Sequence, residues 1–294
     1  MVETEVRKTP RAATVPAASD RDPRVIVIKP APRWPHLDVA ELWHYRELLG
    51  RLVWRDVMVR YKQTSIGIVW AIIQPLLTMV VFSLVFGKFG NFPSKGVPYQ
   101  IFTFSALLPW TFFAAGVALS STSLVTNSGL VTKVYFPRVL LPLAAVTVPI
   151  ADFFPAFIVL VGLMAYFSIW PSVALVLAPL FLIMAAVAAL GVGLFLSALN
   201  ARYRDVPYAV PFLIQIWFYL SGVVYAVSAL PEKWQWVLAL NPMTAVINGF
   251  QWGVLNTAAP DLGKTAVSVA ATAVFFVVGL WYFRRTEPRF ADTI

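Results

Sequence analysis

The sequence contains no cysteine, which excludes disulfides and thiol chemistry. Its two histidines, His36 and His44, both fall near the amino-terminal end, and none occurs from Ile66 onward. Over that same stretch the carboxylate side chains are Asp152, Asp205, Glu232, Asp261, Glu287 and Asp292. Metal, triad or general acid–base catalysis needs such groups to converge on one point, and this supply is too thin and too scattered. A nucleotide site is missing as well. Gly263-Lys264-Thr265 looks like the end of a phosphate-binding loop, but Ala258 stands where the first glycine is needed, and no strand precedes it.

What the sequence has in abundance is apolar length: 59% of residues are hydrophobic and only 13% charged. The apolar residues gather near Ile66 to Gly87, Tyr99 to Leu124, Val139 to Phe167, Ser172 to Leu199, Tyr208 to Val227 and Thr265 to Phe283. Crossing a hydrocarbon core of about 30 Å takes about 20 helical residues, so these read as six spans. Runs such as Leu175 to Leu196 are apolar on every face, whereas a barrel strand alternates over about ten residues. The expected fold is an all-α polytopic membrane protein with six transmembrane helices.

Charge placement gives an orientation. The first thirty residues are broken by Arg7, Lys8, Pro10, Arg11, Pro16, Arg21, Pro23 and Arg24 and have no apolar core, so they are not a signal peptide and the amino end is expected in the cytoplasm. The cytoplasmic side then carries the basic amino-terminal segment, Lys133 and Arg138, Arg202 and Arg204, and Arg284, Arg285 and Arg289. Only Lys88, Lys95, Lys233 and Lys264 fall outside, a strong inward bias of positive charge. The net charge of +9 therefore reads as topology and contact with anionic membrane lipid, with no nucleic acid as partner.

Residues 1–37 mix Pro, Ala, Arg and Asp and read as a disordered or loosely attached cytoplasmic leader. Residues 38–63 read as an amphipathic interface helix, opened by a capping box of Asp38 and Glu41. Leu42, Tyr45, Leu49, Leu52 and Val53 share helical spacing, while Arg46, Glu47, Arg51 and Arg55 occupy other faces. A membrane anchor and a lever against a cytoplasmic partner both fit this helix. Residues 64–284 form the transmembrane domain and 285–294 a cytoplasmic tail.

Between the fifth and sixth spans, Glu232 to Leu240 and Met243 to Leu255 are each too short or too interrupted to cross a membrane. They read as two re-entrant helices turned at Asn241-Pro242, with proline in the first turn of the second. Such elements are tolerated only against protein or a water-filled cavity, which points to a gate or lining.

Within the first span, Gly67, Trp70, Gln74 and Thr78 recur every three to four residues and form a stripe facing protein or a channel. Asp152 lies inside the third span between Pro149 and Pro155. It is open to two readings: proton coupling or cation binding, or satisfaction by local donors or a wet inner cavity. Aromatic residues make up 15% of the chain, and many suit interfacial belts or packing. Sugar rings present apolar C–H faces, so an aromatic-lined passage would let a glycan slide through. The Gly249/Gly253 spacing reads as close helix contact.

Three segments together resemble the membrane subunit of ABC-2-type polysaccharide exporters, the family that includes O-antigen, capsule and teichoic-acid permeases. They are Arg55-Asp56-Val57-Met58-Val59-Arg60-Tyr61-Lys62 leading to Gln74-Pro75, Lys133-Val134-Tyr135-Phe136-Pro137-Arg138, and Asn200-Ala201-Arg202-Tyr203-Arg204-Asp205. Leu240-Asn241-Pro242 and Gly249-Phe250-Gln251 add a fourth, and the likeness runs from Glu41 to Phe283.

The resemblance implies a homodimer in the bacterial inner membrane, with both termini cytoplasmic and one central channel for lipid-linked polysaccharide. Two copies of a separate ATP-binding subunit would drive it, with ATP and Mg held there and no cofactor in this chain. By the same resemblance, Leu130, Lys133, Tyr135 and Arg138 form a coupling helix, joined by Arg202 and Arg204, for which a local ion pair with Asp205 is an alternative. Trp70, Gln74, Thr78, Phe82, Phe86, Trp110, Phe113, Trp217 and Tyr219 become the glycan path. Trp234, Trp236, Asn241, Pro242, Phe250 and Gln251 become the outer gate, with Gln251 standing where relatives often carry arginine. Competing readings are an ABC-2 exporter of drugs or simple lipids, a membrane glycosyltransferase or acyltransferase, and a membrane-bound scaffold.

Overall fold

A computed structural model describes residues 39–62, 67 and 69–290, and all regular structure among them is helical. The leader, Asp38 of the expected capping box, and Asp292 lie outside the described residues.

The described residues open with two helices, α1 (Val39–His44) and α2 (Arg46–Lys62), and Leu49 N–H still donates to Tyr45 carbonyl across the join. Leu42, Tyr45, Leu49, Leu52 and Val53 all turn toward a cluster containing Val131, Phe136, Leu140 and Phe283. The apolar stripe read from spacing is thus the face that packs on protein, while Trp43 and Trp54 point away from it.

Among the described residues, five helical runs are long and apolar enough to cross a membrane. The first is α3 (Val69–Phe82), which contains Pro75 and continues through π-type turns at Ser83–Phe89. Next come α4 (Tyr99–Thr126), the short α5 (Ser128–Lys133), and α6 (Leu140–Thr147) stacked end to end with α7 (Ile150–Tyr166). The α6–α7 break falls at Val148-Pro149, where proline supplies no backbone donor. A 3₁₀ turn at Val173–Leu177 leads into α8 (Ala178–Arg202).

The fifth apolar stretch, Tyr208 to Val227, is not one helix. It folds as α9 (Val206–Tyr219), 14 residues or about 21 Å, followed by a turn in which Gly222 takes a φ of +71°. After α10 (Glu232–Ala239) and α11 (Pro242–Leu255), the chain closes with α12 (Leu262–Thr286).

The centre of the bundle is α4, apolar all around and buried from Ile101 to Phe113 with few interruptions. Along it lies α8, whose Ala185, Ala188 and Ala189 are fully buried and let the two backbones approach. On its other side α8 meets α12 at a glycine pair: a Cβ on Gly191 would sit 2.6 Å from the Phe276 backbone, and one on Gly279 would strike the Gly191 carbonyl. Gly253 likewise lets α11 approach the Ala174 backbone, matching the close contact read from its spacing.

Asn200 Nδ2 donates to Ser121 carbonyl at 3.0 Å, so the carboxyl ends of α4 and α8 lie side by side. Phe283 of α12 packs with Leu124 and Leu194 in the same cluster, which brings the end of the last long helix there too. One end of the bundle therefore gathers α2, α5, the α8–α9 turn and the end of α12, together with their arginines.

Candidate functional site

At this basic end, the segment between α4 and α6 is anchored at two points. Val131 and Phe136 are buried in the cluster with Leu140 and Phe283, and Leu130 packs against its edge. Between those anchors Lys133, Val134 and Tyr135 stand outward, Tyr135 at 75% exposure. Arg138 behaves differently. Its Nη1 donates to the Glu287 carbonyl, and its guanidinium lies 6.0 Å from the centre of the Phe290 ring. Arg138 is a strut to the end of α12, whereas Lys133 and Tyr135 are free surface.

A second tie binds α2 to this loop. Arg55 Nη2 donates to Asn127 Oδ1 at 2.7 Å, and Asn127 Nδ2 donates to Ser123 carbonyl at 2.8 Å. Arg202 and Arg204 are exposed, and Arg202 lies over the Tyr203 ring at 5.1 Å. Among the described residues neither arginine pairs with Asp205.

Asp152 is held by the end of α2. Arg60 reaches its Oδ2 at 2.9 Å, and the Tyr61 hydroxyl donates to its Oδ1. Burial and this bond to a carboxylate both push the Tyr61 phenol above its ordinary pKa, so it stays a donor. The carboxylate is satisfied by donors from α2, not by amides released at Pro149 and Pro155. A cavity of about 590 Å³ opens beside it, bordered by Arg60, Trp70, Gln74, Trp110 and Asp152.

The aromatic residues divide into two sets. Trp70 and Tyr219 are about half exposed, and Gln74 is exposed with its carbonyl accepting from Thr78 Oγ1 at 2.9 Å. By contrast, Phe113 is fully buried and Trp110 nearly so. Ring contacts run from Phe82 to Phe218 (5.6 Å), Phe218 to Trp110 (5.4 Å), Trp110 to Phe113 (5.6 Å) and Phe113 to Trp217 (5.0 Å). Phe86 joins through Phe82, so within one chain Trp110, Phe113 and Phe218 are core, and Phe82, Phe86 and Trp217 pack against them partly buried.

At the far end of the bundle, Asn241 is a four-bond junction. Its Oδ1 accepts from Met243 N–H, capping α11, and from Trp217 Nε1, while its Nδ2 donates to Leu220 carbonyl and Ser221 Oγ. Pro242 occupies the first turn of α11. Phe250 and Gln251 are buried, Phe250 against Phe153 and Gln251 with its Nε2 donating to Phe102 carbonyl. Trp234 and Trp236 remain at the surface, each beside a lysine: Lys233 and Lys264.

Residues 47–255, the span that contains the Arg55–Asn127 tie, the α5 loop and the α10–α11 pair, match the ABC-2 type transporter family over most of the chain. The chain belongs to the ABC-2 type transporter family. Among its relatives, the O-antigen export system permease protein RfbA of Myxococcus xanthus is 30% identical over 264 residues, covering 87% of this chain and 98% of that protein. The Klebsiella pneumoniae protein of the same name is 28% identical, covering 84% and 95% of the two chains. The polysialic acid transport protein KpsM of Escherichia coli is 20% identical, covering 77% and 87%.

This ABC-2 type chain is thus a multi-pass membrane protein. Its fastenings include residues that spacing did not single out for these roles: Arg55 and Asn127, Arg60 and Tyr61, Glu287 and Phe290. Each joins residues far apart in the chain, and no local periodicity marks such partners.

Proposed function

We propose that this chain is the permease subunit of an ATP-driven exporter of lipid-linked polysaccharide in the bacterial inner membrane. The observation that carries the reading is the near full-length similarity to O-antigen export permeases, joined to the α5 loop that presents Lys133 and Tyr135 outward from a fastened base. In this reading the chain forms a homodimer and receives work from two copies of an ATP-binding subunit, which hold ATP and Mg. Both termini are cytoplasmic, and α9 with its following turn acts as a sixth, short span.

Lys133 and Tyr135 are the direct contacts for the ATP-binding subunit, with Arg202 and Arg204 beside them on the same end. Leu130 and Arg138 fix the loop to the bundle, so a push on α5 is passed to α2 through Asn127–Arg55 and to α12 through Arg138–Glu287. The glycan path is lined by Trp70, Gln74, Thr78 and Tyr219. Phe82, Phe86, Trp110, Phe113 and Trp217 form the wall behind them. The re-entrant pair α10 and α11 makes the outer gate, turned at Asn241-Pro242, rooted by Phe250 and Gln251, and edged by Trp234 and Trp236.

Depletion of the protein followed by fractionation of lipid-linked glycans tests this function. Accumulation of finished glycan at the cytoplasmic face supports export; loss of glycan synthesis points to an enzyme and overturns the reading.

A further inference from the structure

A cavity of about 370 Å³ lies at the end of the bundle opposite the arginines, between the Lys95 loop, α10, α11 and the start of α12. Lys95 and Lys264 both border it, and Asp261 is its one acid. Asp261 Oδ1 is already occupied, capping α12 by accepting from Lys264 N–H at 2.9 Å.

The two ammonium groups are held by neutral partners. Lys95 Nζ donates to Asn248 Oδ1 at 2.7 Å and to Gln251 Oε1 at 2.9 Å; Lys264 Nζ donates to Gln235 Oε1 at 2.8 Å. Each ammonium carries three protons, so one on Lys95 and two on Lys264 have no acceptor among the described residues. Lys95 sits in the left-handed region at φ +58°, a conformation unfavourable for a residue with a Cβ, next to Gly96 at φ +80°. The loop therefore places this cation in the cavity wall at a conformational cost.

An independent observation points the same way. Thr244 borders the cavity, is 5% exposed, and its Oγ1 has no hydrogen-bond partner among the described residues. Buried hydroxyls are nearly always bonded. Excess positive charge, spare N–H donors and an orphaned hydroxyl in one wall are what an oxyanion would satisfy together. Burial also holds the Lys95 ammonium down to about 8, as expected for a cation lacking a counter-ion.

We propose that this cavity binds a phosphate group, held by Lys95 and Lys264 with Thr244 as hydroxyl partner. The chemistry is the same whether the phosphate belongs to a lipid headgroup or to a soluble or cargo-borne ligand. The site goes beyond the transport reading, and its test needs no transport activity.

The test uses the purified full chain, without the ATP-binding subunit, in nanodiscs of phosphatidylcholine alone or with added phosphatidylglycerol. Equilibrium dialysis with radiolabelled inorganic phosphate and pyrophosphate measures soluble binding, and native mass spectrometry counts retained phosphatidylglycerol. Lys95→Gln and Lys264→Gln should each weaken binding about tenfold or more, the scale of losing one charge-assisted donor. Lys95→Arg should retain it, and Lys233→Gln, outside the cavity, should leave it unchanged. Soluble anion bound equally in both discs assigns a soluble or cargo-borne phosphate; selective retention of phosphatidylglycerol assigns a lipid headgroup. Should Lys95→Gln fail to fold, Lys264→Gln and Thr244→Val carry the test. Neither probe distinguishing the wild type from the folded variants overturns the proposal.

Discussion

Arg60 in α2 and Asp152 in α7 form an ion pair of 2.9 Å across 92 residues of sequence, and Tyr61 takes the second carboxylate oxygen. An acid inside a hydrophobic span is costly unless partnered, so this contact both accommodates Asp152 and pins the end of α2 to the bundle.

Replacing Asp152 with Asn, or Arg60 with Gln, should therefore loosen α2 before it affects anything else. Hydrogen exchange over residues 55–62 should rise in both variants. Arg60 is 42% exposed, so the coupling in a double-mutant cycle should be about 1 kcal/mol, not the several expected for a fully buried pair. Additive effects of the two substitutions would show that the pair does not act as a unit.

Loop residues 133 to 138 should separate into contact and support. Lys133→Glu with Tyr135→Ala should weaken co-purification with the ATP-binding subunit while leaving thermal stability within about 0.5 kcal/mol, since both side chains are exposed. Arg138→Glu should instead lower the melting temperature, because it removes the tie to Glu287. Equal stability in the two variants would contradict the distinction.

The helical stripe of α2 was legible because its apolar residues repeat at 3.6-residue spacing and one face is buried. Five long spans were legible from length alone. The end of α9 was not, since Ser221-Gly222 is a slight interruption in an apolar run and only the φ of Gly222 shows the chain turning. Nor could sequence sort Trp70 from Trp110: where a helix is apolar on every face, hydropathy no longer says which side is core. The Lys95 cavity was hidden for another reason, its wall being assembled from residues scattered between Lys95 and Ser268.

That division of aromatics has its own test. Trp70→Ala should slow glycan export with normal folded yield, because the ring is half exposed beside a cavity. Phe113→Ala removes a fully buried ring and should cost about 3–5 kcal/mol of stability. Normal export by folded Trp70→Ala would remove that residue from the path.

At the α8–α12 crossing, Gly279→Ala should destabilise by about 1–3 kcal/mol through overpacking against the Gly191 backbone. Thermal unfolding in detergent measures this. A neutral result would mean that the two helices separate freely.

Lys95 gives a pH signature. Its ordinary value is 10.5, and burial lowers it to about 8 in the folded chain. Between those values the unfolded chain keeps a proton that the folded chain has shed, so the Lys95 contribution to stability rises with pH across this window. Lys264 and Asp261 are the other charged groups at the cavity. Phosphate binding needs the ammonium form and should fall as pH passes 8, with the Lys95-dependent part absent in Lys95→Gln.

Export is the activity that all of these roles serve. Reconstitution with the ATP-binding subunit in proteoliposomes, with labelled lipid-linked polysaccharide on the side where ATP is added, measures it directly. Appearance of the glycan on the opposite face, dependent on ATP and on Lys133 and Tyr135, is the result expected. Glycan that stays on its original face while ATP is hydrolysed by a correctly assembled complex would contradict the claim.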